Sequence, residues 1–516
     1  MTVVAAPTRS ITFATGAGAS LLAALFGAAS VLGFAPFYVW PVPIVTLAGF
    51  AWLIRQASSA RRAAALGFAF GMGFFLTGVS WVFVSMHDFG GMPIPIAAFA
   101  TAFFCAYLAL FPAAVGYLTR RMIAAADAVR LALVFPAAWA LSEWIRGWMF
   151  TGFPWLAVGY AQSPGGPLSA YAPLIGVYGV SLATAATAGT LAWWSPWTRV
   201  RRGWRGVLTH PAVVMLLCVW VLALGLRTVQ WTTPAGAPVS VSLAQGNIKQ
   251  DIKWQAESVQ ASLDTYLRLT LSSPGRLILL PETAIPLLDN EVPVNYFDLL
   301  AQHARDNHGD SLVGVPQVEP GNPPRYYNSV RSFGTQPGQT YRKHHLVPFG
   351  DYFPDWALIS WIMSTLDIPM SSFSRGPAVQ PPLQVADQRV AVNICYEDVF
   401  GEEIIRQLPQ ATLLANFTND AWWGDSIASE QHLQMSQMRS QETGRYMLRA
   451  TNTGVTAIID ERGQVQAKAP QFVTTILNGT AQGYIGSTPY VRWGNAVVLA
   501  LACGMLAAAL WRGRKA

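Results

Sequence analysis

Hydrophobic residues in this chain gather into eight long runs, seven of them before residue 230 and one after residue 488. A helix needs roughly 20 apolar residues to cross the hydrocarbon layer of a membrane, and each run approaches that length. The runs predict eight transmembrane helices near residues 11–33, 38–54, 63–86, 93–117, 131–150, 168–194, 209–228 and 489–511. The first run could be a cleaved signal peptide, but its length and the lack of a clean cleavage motif favour a retained helix.

The residues between the seventh and eighth runs follow a different pattern. Apolar and polar positions alternate over short stretches, which is typical of strands, and helical periods separate several of them. The pattern predicts strands at 239–245, 276–282, 311–319, 326–333, 389–397, 411–417 and 454–460, and helices at 255–271, 294–307 and 430–448. A turn at residues 461–463 predicts a hairpin. About 250 residues suffice for one hydrophobic core, so we expect an α/β or α+β sandwich.

These two patterns divide the chain into three parts. We predict seven transmembrane helices in residues 1–230, one water-soluble domain in residues 231–485, and a final transmembrane helix with a basic tail in residues 486–516. The composition agrees, because 52% of the 516 residues are hydrophobic and only 12% are charged. Soluble proteins carry about twice that charged fraction.

Charge is unevenly distributed between these parts. Residues 237–484 hold 24 of the 27 acidic residues and have a net charge of −7, whereas the rest of the chain has a net charge of +14. The basic residues of that remainder lie in short loops between apolar runs, so the charge does not imply a nucleic-acid partner.

The basic loops also predict the orientation in the membrane. Fourteen lysines and arginines fall in alternate connections and in the two ends of the chain, whereas the opposite short connections offer Arg146. By the positive-inside rule, both termini are cytoplasmic and residues 237–484 face outward. Glu143 and Arg146 lie three residues apart at the outer end of the fifth run. We expect an interfacial ion pair there, with contact to a lipid headgroup as the alternative.

One cysteine stands out among the four. Cys395 alone lies outside the apolar runs, at the end of a predicted strand, and is either buried and inert or kept for its reactivity. A thiol nucleophile needs a base for its proton and a donor for the developing oxyanion. Glu282 ends another predicted strand and could be that base, and Lys343 could balance the negative charge. His344 and His345 offer a rival base in a Cys–His pair, which the spacing leaves open.

The sequence has no pattern typical of a bound metal or nucleotide. No cysteine and histidine cluster has zinc spacing, and no GxGxxG or phosphate-binding loop follows a predicted strand. We therefore expect no metal and no other cofactor.

Several segments resemble known families. In order along the chain, these are LLPETAIP, YRKHHLVPFGDYFP, NICYED and NFTNDAWWG, which are similar to the glutamate, lysine and cysteine segments of the nitrilase superfamily. QGNIKQDIKW, LVPFG and SEWIRGWMFTGFPW resemble the apolipoprotein N-acyltransferase family. The resemblance implies an α+β protein with an eight-helix transmembrane bundle and an exported nitrilase-like αββα sandwich.

The resemblance also implies roles for particular residues. Glu282 would be the general base, Lys343 the stabiliser of negative charge, and Cys395 the nucleophile. Asp351 stands where the family typically has a longer glutamate, so we expect the neighbouring backbone to compensate for its shorter reach. Positions similar to functional positions of the family also include Tyr396, Glu397 and Trp254, although Glu397 could be an ordinary surface charge and Trp254 could be a core residue.

The implied activity is acyl transfer in the bacterial inner membrane. Cys395 would take a fatty acyl chain from a phospholipid as a thioester and pass it to the N-terminal amine of an S-diacylglyceryl-cysteine on a lipoprotein. A monomer suffices for this chemistry. The aromatic residues of 350–375 suggest a lipid-facing arm, with core packing as the alternative. Two other functions stay open: a membrane-anchored amidase that releases the acyl group to water, and a non-enzymatic transporter or lipid-binding scaffold.

Overall fold

The structure is a computed structural model, which describes residues 16–122, 126–194, 206, 208–250, 253, 255–352 and 373–515. All eight apolar runs contain helix in these ranges. The longer helices of this part are α1 (Ala17–Ser30), α2 (Pro41–Gln56), α3 (Ala60–Gly78), α4 (Ile94–Arg121), α5 (Asp127–Arg146), α6 (Ala172–Trp193) and α7 (Pro211–Leu226).

Several of these helices could cross a membrane by length and composition. Among the described residues, four are long and apolar enough: α4, α5, Pro167–Trp193 and Ala496–Gly513. The α3 helix gives a fifth if it is counted with Val82–Phe89, to which it is bent by 60°. The α1 and α7 helices are apolar but shorter.

Small residues allow the helices of this bundle to approach closely. A Cβ atom on Gly67 of α3 would lie 2.2 Å from the carbonyl oxygen of Pro112 on α4. A Cβ atom on Gly116 of α4 would lie 2.3 Å from the carbonyl oxygen of Ala63 on α3. Such contacts are typical of membrane helices, because lipid offers no hydrophobic driving force and backbones must pack directly.

The described strands build two six-stranded sheets and one separate two-stranded pair. The strands are β1 (Thr232–Pro234), β2 (Val239–Gln245), β3 (Leu277–Leu280), β4 (Asp310–Glu319), β5 (Arg325–Gly334), β6 (Thr340–Arg342), β7 (Leu383–Val385), β8 (Gln388–Ile394), β9 (Leu413–Thr418), β10 (Met447–Thr451), β11 (Ala457–Ile459), β12 (Val465–Lys468), β13 (Thr475–Ala481) and β14 (Tyr484–Gly486). One sheet has the order β13-β2-β3-β4-β5-β6 and the other β12-β11-β10-β9-β8-β7. The β2, β3 and β4 strands are parallel, as are β8, β9 and β10.

Helices cover the outer faces of the two sheets. The longer ones are α8 (Ala256–Leu271), α9 (Val294–Asp306) and α10 (Ala428–Thr443), and the chain ends in α11 (Ala496–Lys515). The inner faces share one core, in which Leu279 and Val392 from opposite sheets belong to the same buried cluster. The α8 and α9 helices pack on the first sheet, and α10 packs on the second. The layers are therefore helix, sheet, sheet and helix, as the resemblance implies.

The α10 helix joins the sandwich to the membrane helices. Its residues are buried although most are polar. Gln431 accepts a hydrogen bond from the Trp155 indole at 2.6 Å, and Glu442 accepts one from the backbone N–H of Val177 at 2.8 Å. The antiparallel pair β1 and β14 lies where the chain enters and leaves the sandwich. The two halves of the molecule therefore meet through specific hydrogen bonds.

The predicted strands are all present, but several of their boundaries differ from the observed ones by up to three residues. The strand predicted to reach residue 397 ends at Ile394, and Cys395–Val399 form a 3₁₀ turn. The helix predicted to reach residue 448 ends at Thr443, because Gly444 takes a left-handed conformation with φ of 63° and the chain then forms β10. The predicted hairpin is confirmed by the antiparallel pairing of β11 and β12.

Candidate active site

The three predicted catalytic side chains follow the ends of strands. Glu282 lies two residues after β3, Lys343 directly follows β6, and Cys395 directly follows β8. The β3 and β8 strands lie in different sheets, so the sandwich brings these strand ends together from its two sides. The rigid sheets end here in connecting segments, and such segments often carry the reactive side chains of a protein.

Lys343 links two buried carboxylates. Its Nζ atom lies 2.7 Å from Oδ2 of Asp351 and 3.3 Å from Oε1 of Glu282, and it is only 2% exposed. Burial alone would lower the pKa of Lys343, but the charges of Asp351 and Glu282 outweigh it and hold the pKa well above the ordinary value. Lys343 is therefore a permanent cation of this site.

The backbone around Asp351 brings its short side chain within reach. The Asp351 N–H donates to the Val347 carbonyl at 2.8 Å, and the Val347 N–H donates back to Oδ2 of Asp351 at 2.8 Å. This tight turn places the carboxylate against Lys343. The residue that departs from the typical pattern of the resembled family thus makes a direct ion pair.

Further donors orient the Glu282 carboxylate. The Asn328 side chain donates to Oε1 at 2.7 Å, and the backbone N–H of Asn419 donates to Oε2 at 3.0 Å. Together with Lys343 these donors hold the carboxylate in a fixed orientation.

Cys395 sits in a strained turn beside these groups. Its φ angle is 53°, which is uncommon for a residue other than glycine, and the side chain is half-buried. Burial raises the pKa of the Cys395 thiol, and the nearby charge of Glu282 raises it further, while Lys343 and a hydrogen bond with Thr418 act in the opposite direction. The thiol is therefore protonated at rest, and attack by sulfur requires a base.

Glu397 is a structural acceptor rather than a surface charge. It is 2% exposed and accepts four hydrogen bonds, from the N–H groups of Ile394, His344 and His345 and from the Tyr341 hydroxyl, at 2.7–3.0 Å. These bonds tie the segment that follows Lys343 to the turn that carries Cys395. Burial raises the pKa of Glu397 to about 7, although the backbone bonds act in the opposite direction.

Tyr396 faces the membrane helices. Its hydroxyl donates to the Gly152 carbonyl at 3.1 Å, and its ring stacks on Trp155 with the centroids 6.5 Å apart. Trp155 also contacts Trp81 and Trp423 at centroid distances of 4.9 and 5.4 Å. Sequence reasoning missed this aromatic cluster of Trp81, Trp155, Tyr396 and Trp423. The broken segment FTGFPW was a signal for it, since such backbone in an apolar region must pack against protein.

A buried polar cluster behind Cys395 was also missed. The side chains of Arg449, Asp398, Asp420 and His432 have no exposed surface. Arg449 lies 3.2 Å from Asp398 and 2.8 Å from Asp420, and it donates to Asn416, which donates to the Cys395 carbonyl at 3.1 Å. Although burial favours the neutral acid, the charges of Arg449 and His432 lower the pKa of Asp420. The cluster supports the turn that carries Cys395.

The two histidines beside Lys343 have other partners. Nδ1 of His344 lies 2.8 Å from the Gly376 carbonyl oxygen, and Nδ1 of His345 lies 3.1 Å from Glu403. The His345 ring also stacks on Phe400 at 3.8 Å. These contacts favour Glu282 over a histidine as the base.

The ion pair predicted for Glu143 and Arg146 is replaced by other contacts. Glu143 and Arg146 are both buried and do not form the expected direct ion pair. Glu143 accepts bonds from Trp139 and Val158, while Arg146 donates to two carbonyls of the 149–158 segment, so both residues hold that segment in place.

Trp254 and residues 353–372 of the predicted arm lie outside the described residues. Within the described ranges, no group of three or more metal-ligating side chains is arranged to hold a metal ion.

Family models and named relatives match both parts of this chain. Residues 26–190 match the family of apolipoprotein N-acyltransferase N-terminal domains, and residues 240–490 match the carbon-nitrogen hydrolase family. The chain is 53% identical over 479 residues to the apolipoprotein N-acyltransferase of Nitrosomonas europaea, covering 92% of this chain and 93% of that protein. It is 44% identical over 506 residues to the protein of the same name from Ralstonia nicotianae, covering 96% and 94%. Among solved structures, the C. elegans NitFhit protein is 15% identical with a TM-score of 0.36, covering 50% of this chain and 63% of that chain.

The apolar helices, the sandwich and the two matched regions define a class: a membrane protein that carries a carbon-nitrogen hydrolase domain. Within that class, the chain belongs to the apolipoprotein N-acyltransferase family and is an enzyme.

Proposed function

We propose that this enzyme moves a fatty acyl chain from a membrane phospholipid, such as phosphatidylethanolamine, to the N-terminal amine of an S-diacylglyceryl-cysteine on a lipoprotein. The observation that carries the proposal is the position of Cys395. It lies beside the Lys343 ion pairs and packs against both the sandwich core and the core of the membrane helices. A thiol at that junction suits a substrate whose reactive ester lies at a lipid surface.

In the first half-reaction, Glu282 accepts the proton of the Cys395 thiol as sulfur attacks the ester carbonyl carbon of the phospholipid. The carbonyl oxygen becomes negative, and the Lys343 ammonium stabilises that charge. The tetrahedral intermediate then collapses, the carbon–oxygen ester bond breaks, and Glu282 returns the proton to the departing lysophospholipid oxygen. The acyl chain remains on sulfur as a thioester.

In the second half-reaction, the neutral α-amine of the lipoprotein attacks the thioester carbon. Glu282 accepts a proton from the amine, Lys343 again stabilises the oxyanion, and the carbon–sulfur bond breaks. Glu282 returns that proton to the thiolate of Cys395, and the amide product leaves. Because both halves use one nucleophile, we expect ping-pong kinetics. Asp351 keeps Lys343 in place, and Glu397 and Tyr396 position the turn that carries Cys395.

The proposal includes a topology. We infer that all eight apolar helices cross the bacterial inner membrane, that both termini are cytoplasmic, and that residues 231–485 form a periplasmic catalytic domain. The basic connections support this arrangement. A reporter inserted after Gly483 should be active only on the exported side, whereas one placed after Arg514 should behave as cytoplasmic. The reverse pattern would contradict the orientation.

A two-stage labelling experiment tests the reaction. Purified enzyme is incubated with acyl-labelled phosphatidylethanolamine, and an S-diacylglyceryl-cysteinyl peptide is added afterwards. We expect a hydroxylamine-sensitive adduct that persists in water and moves to the peptide amine. Cys395→Ser should give no adduct, and Cys503→Ser, in an apolar helix, should behave as wild type. Rapid release of free fatty acid without the peptide would instead indicate an amidase-like hydrolase and contradict the proposal.

A further inference from the structure

A second buried lysine lies against the turn that carries Glu282. Lys253 stands just before α8 and is 3% exposed. Its ammonium group donates to the hydroxyl of Thr283 and lies 3.4 Å from the carbonyl oxygen of Glu282. The catalytic scheme above gives this lysine no part.

The turn at Glu282 has a backbone that needs support. Thr283 has a φ of 45°, which is a rare conformation for a β-branched residue. On its other side, Gly314 of β4 approaches so closely that a Cβ atom there would lie 2.1 Å from the Pro281 carbonyl oxygen. The turn is thus held between the backbone of β4 and the Lys253 side chain.

The charge of Lys253 also reaches the Glu282 carboxylate. Burial lowers the pKa of Lys253 to about 8, although the Glu282 charge acts in the opposite direction. The lysine is therefore mostly an ammonium ion at neutral pH. Among the residues that the structure describes, the charged and titratable groups around Glu282 are Lys343 on one side, with Asp351 behind it, Lys253 on another, and the Cys395 thiol.

We propose that Lys253 is a positioning residue for Glu282: its ammonium group holds the turn at Thr283 and adds a second positive charge near the carboxylate, so that the carboxylate stays oriented towards Cys395 and its negative charge is stabilised. The inference rests on the proposed function, because it takes Glu282 as the base. It concerns the acceptance of a proton in both half-reactions and requires no further reactant.

The test compares the pH dependence of Cys395 acylation in four variants of the full-length enzyme. Lys253→Met removes the charge and the donor but keeps much of the side-chain length. We expect acylation to slow about tenfold at neutral pH, as for the loss of a hydrogen bond to a charged group. The acidic limb of the pH–rate profile is the range in which the rate falls as the pH is lowered. We expect this limb to move to higher pH by roughly one unit, because loss of a nearby cation makes a carboxylate easier to protonate. A purely structural lysine would not move that limb.

Lys253→Arg keeps the positive charge, so the acidic limb of its pH–rate profile should stay close to that of the wild type. Lys249→Met removes an exposed lysine four residues earlier and should leave the rate and the profile unchanged. Thr283→Val removes the hydroxyl that accepts the Lys253 hydrogen bond but keeps the charges of Lys253 and Glu282. It should therefore slow acylation, and the acidic limb of its pH–rate profile should stay at the wild-type pH. Thermal unfolding in detergent shows which variants are folded.

The inference would be overturned by a folded Lys253→Met enzyme whose pH–rate profile has the same acidic limb as that of the wild type. If that variant does not fold, a Thr283→Val enzyme as fast as the wild type would overturn it instead. Failure of the proposed function looks different, because the wild type itself would then form no acyl adduct on Cys395.

Discussion

Replacement of Lys343 by methionine should separate the structural role of this lysine from its proposed catalytic role. Methionine has a similar length but no charge, so Asp351 and Glu282 would lose the ammonium group that lies 2.7 and 3.3 Å from them. Removal of one partner from a buried ion pair costs about 3–5 kcal/mol of stability, because the remaining charge is left without compensation.

A second substitution should restore that stability. In Lys343→Met/Asp351→Asn, the amide oxygen at position 351 can still accept the bond from the Val347 N–H. Glu282 keeps its donors Asn328 and Asn419. We therefore expect the double variant to regain most of the lost free energy of unfolding. Its acylation of Cys395 should stay about 100- to 1,000-fold below the wild type, which is typical for loss of one oxyanion donor.

Thermal unfolding in detergent and the rate of acyl-adduct formation measure the two effects. The pKa of Lys343 lies well above its ordinary value, so its stabilisation is present at and below that ordinary value and is lost only at higher pH. The stability difference between wild type and Lys343→Met should thus stay constant from about pH 6 to about pH 9. A double variant that acylates Cys395 within about fivefold of the wild type would refute the reasoning.

Three further predictions concern neighbouring groups. Glu282→Gln should lower the acylation rate by about 100- to 10,000-fold, as for loss of a general base, and a wild-type rate would exclude Glu282 from that role. The pKa of Glu397 is raised from 4.5 to about 7, so the folded protein binds an extra proton between these values and its stability falls as the pH rises through them. Glu397→Gln should remove this part of the pH dependence of stability in thermal unfolding. An unchanged slope of stability against pH would contradict the raised pKa of Glu397. Arg449→Leu leaves Asp398 and Asp420 buried with His432 as their remaining basic partner and should cost about 3 kcal/mol or more. Arg462→Leu at an exposed position should cost almost nothing. Equal effects of the two substitutions in thermal unfolding would contradict the role of the buried cluster.

Elements with a strong local pattern could be predicted from the sequence. The apolar runs became helices because a long apolar run has few other stable conformations. The β2 strand begins and ends where the alternation of apolar and polar residues does, at Val239 and Gln245. Glu282, Lys343 and Cys395 could be found because each directly follows a strand or lies close to its end, and the resembled families carry the same residue types in the same order.

Features that depend on distant contacts could not be predicted. Trp155 and Gln431 are 276 positions apart in sequence, and no local pattern links them. The α10 helix has a polar composition typical of an exposed helix, yet it is buried because it packs between the sandwich and the membrane helices. Three donors of Glu397, which are Tyr341, His344 and His345, lie in β6 and the loop after it, 52 to 56 positions away in the sequence. Gly444 could have indicated the end of α10, since glycine is the usual residue after a helix.

Intact-mass measurement of the purified enzyme after incubation with phosphatidylethanolamine tests the central claim most directly. We expect a mass increase of one acyl chain, located on Cys395 by peptide mapping and lost on treatment with hydroxylamine. Cys395→Ser, shown to be folded by thermal unfolding, should gain no mass. A wild-type enzyme that transfers the acyl chain to an acceptor peptide without ever carrying it, or that carries it on another residue, would contradict the account.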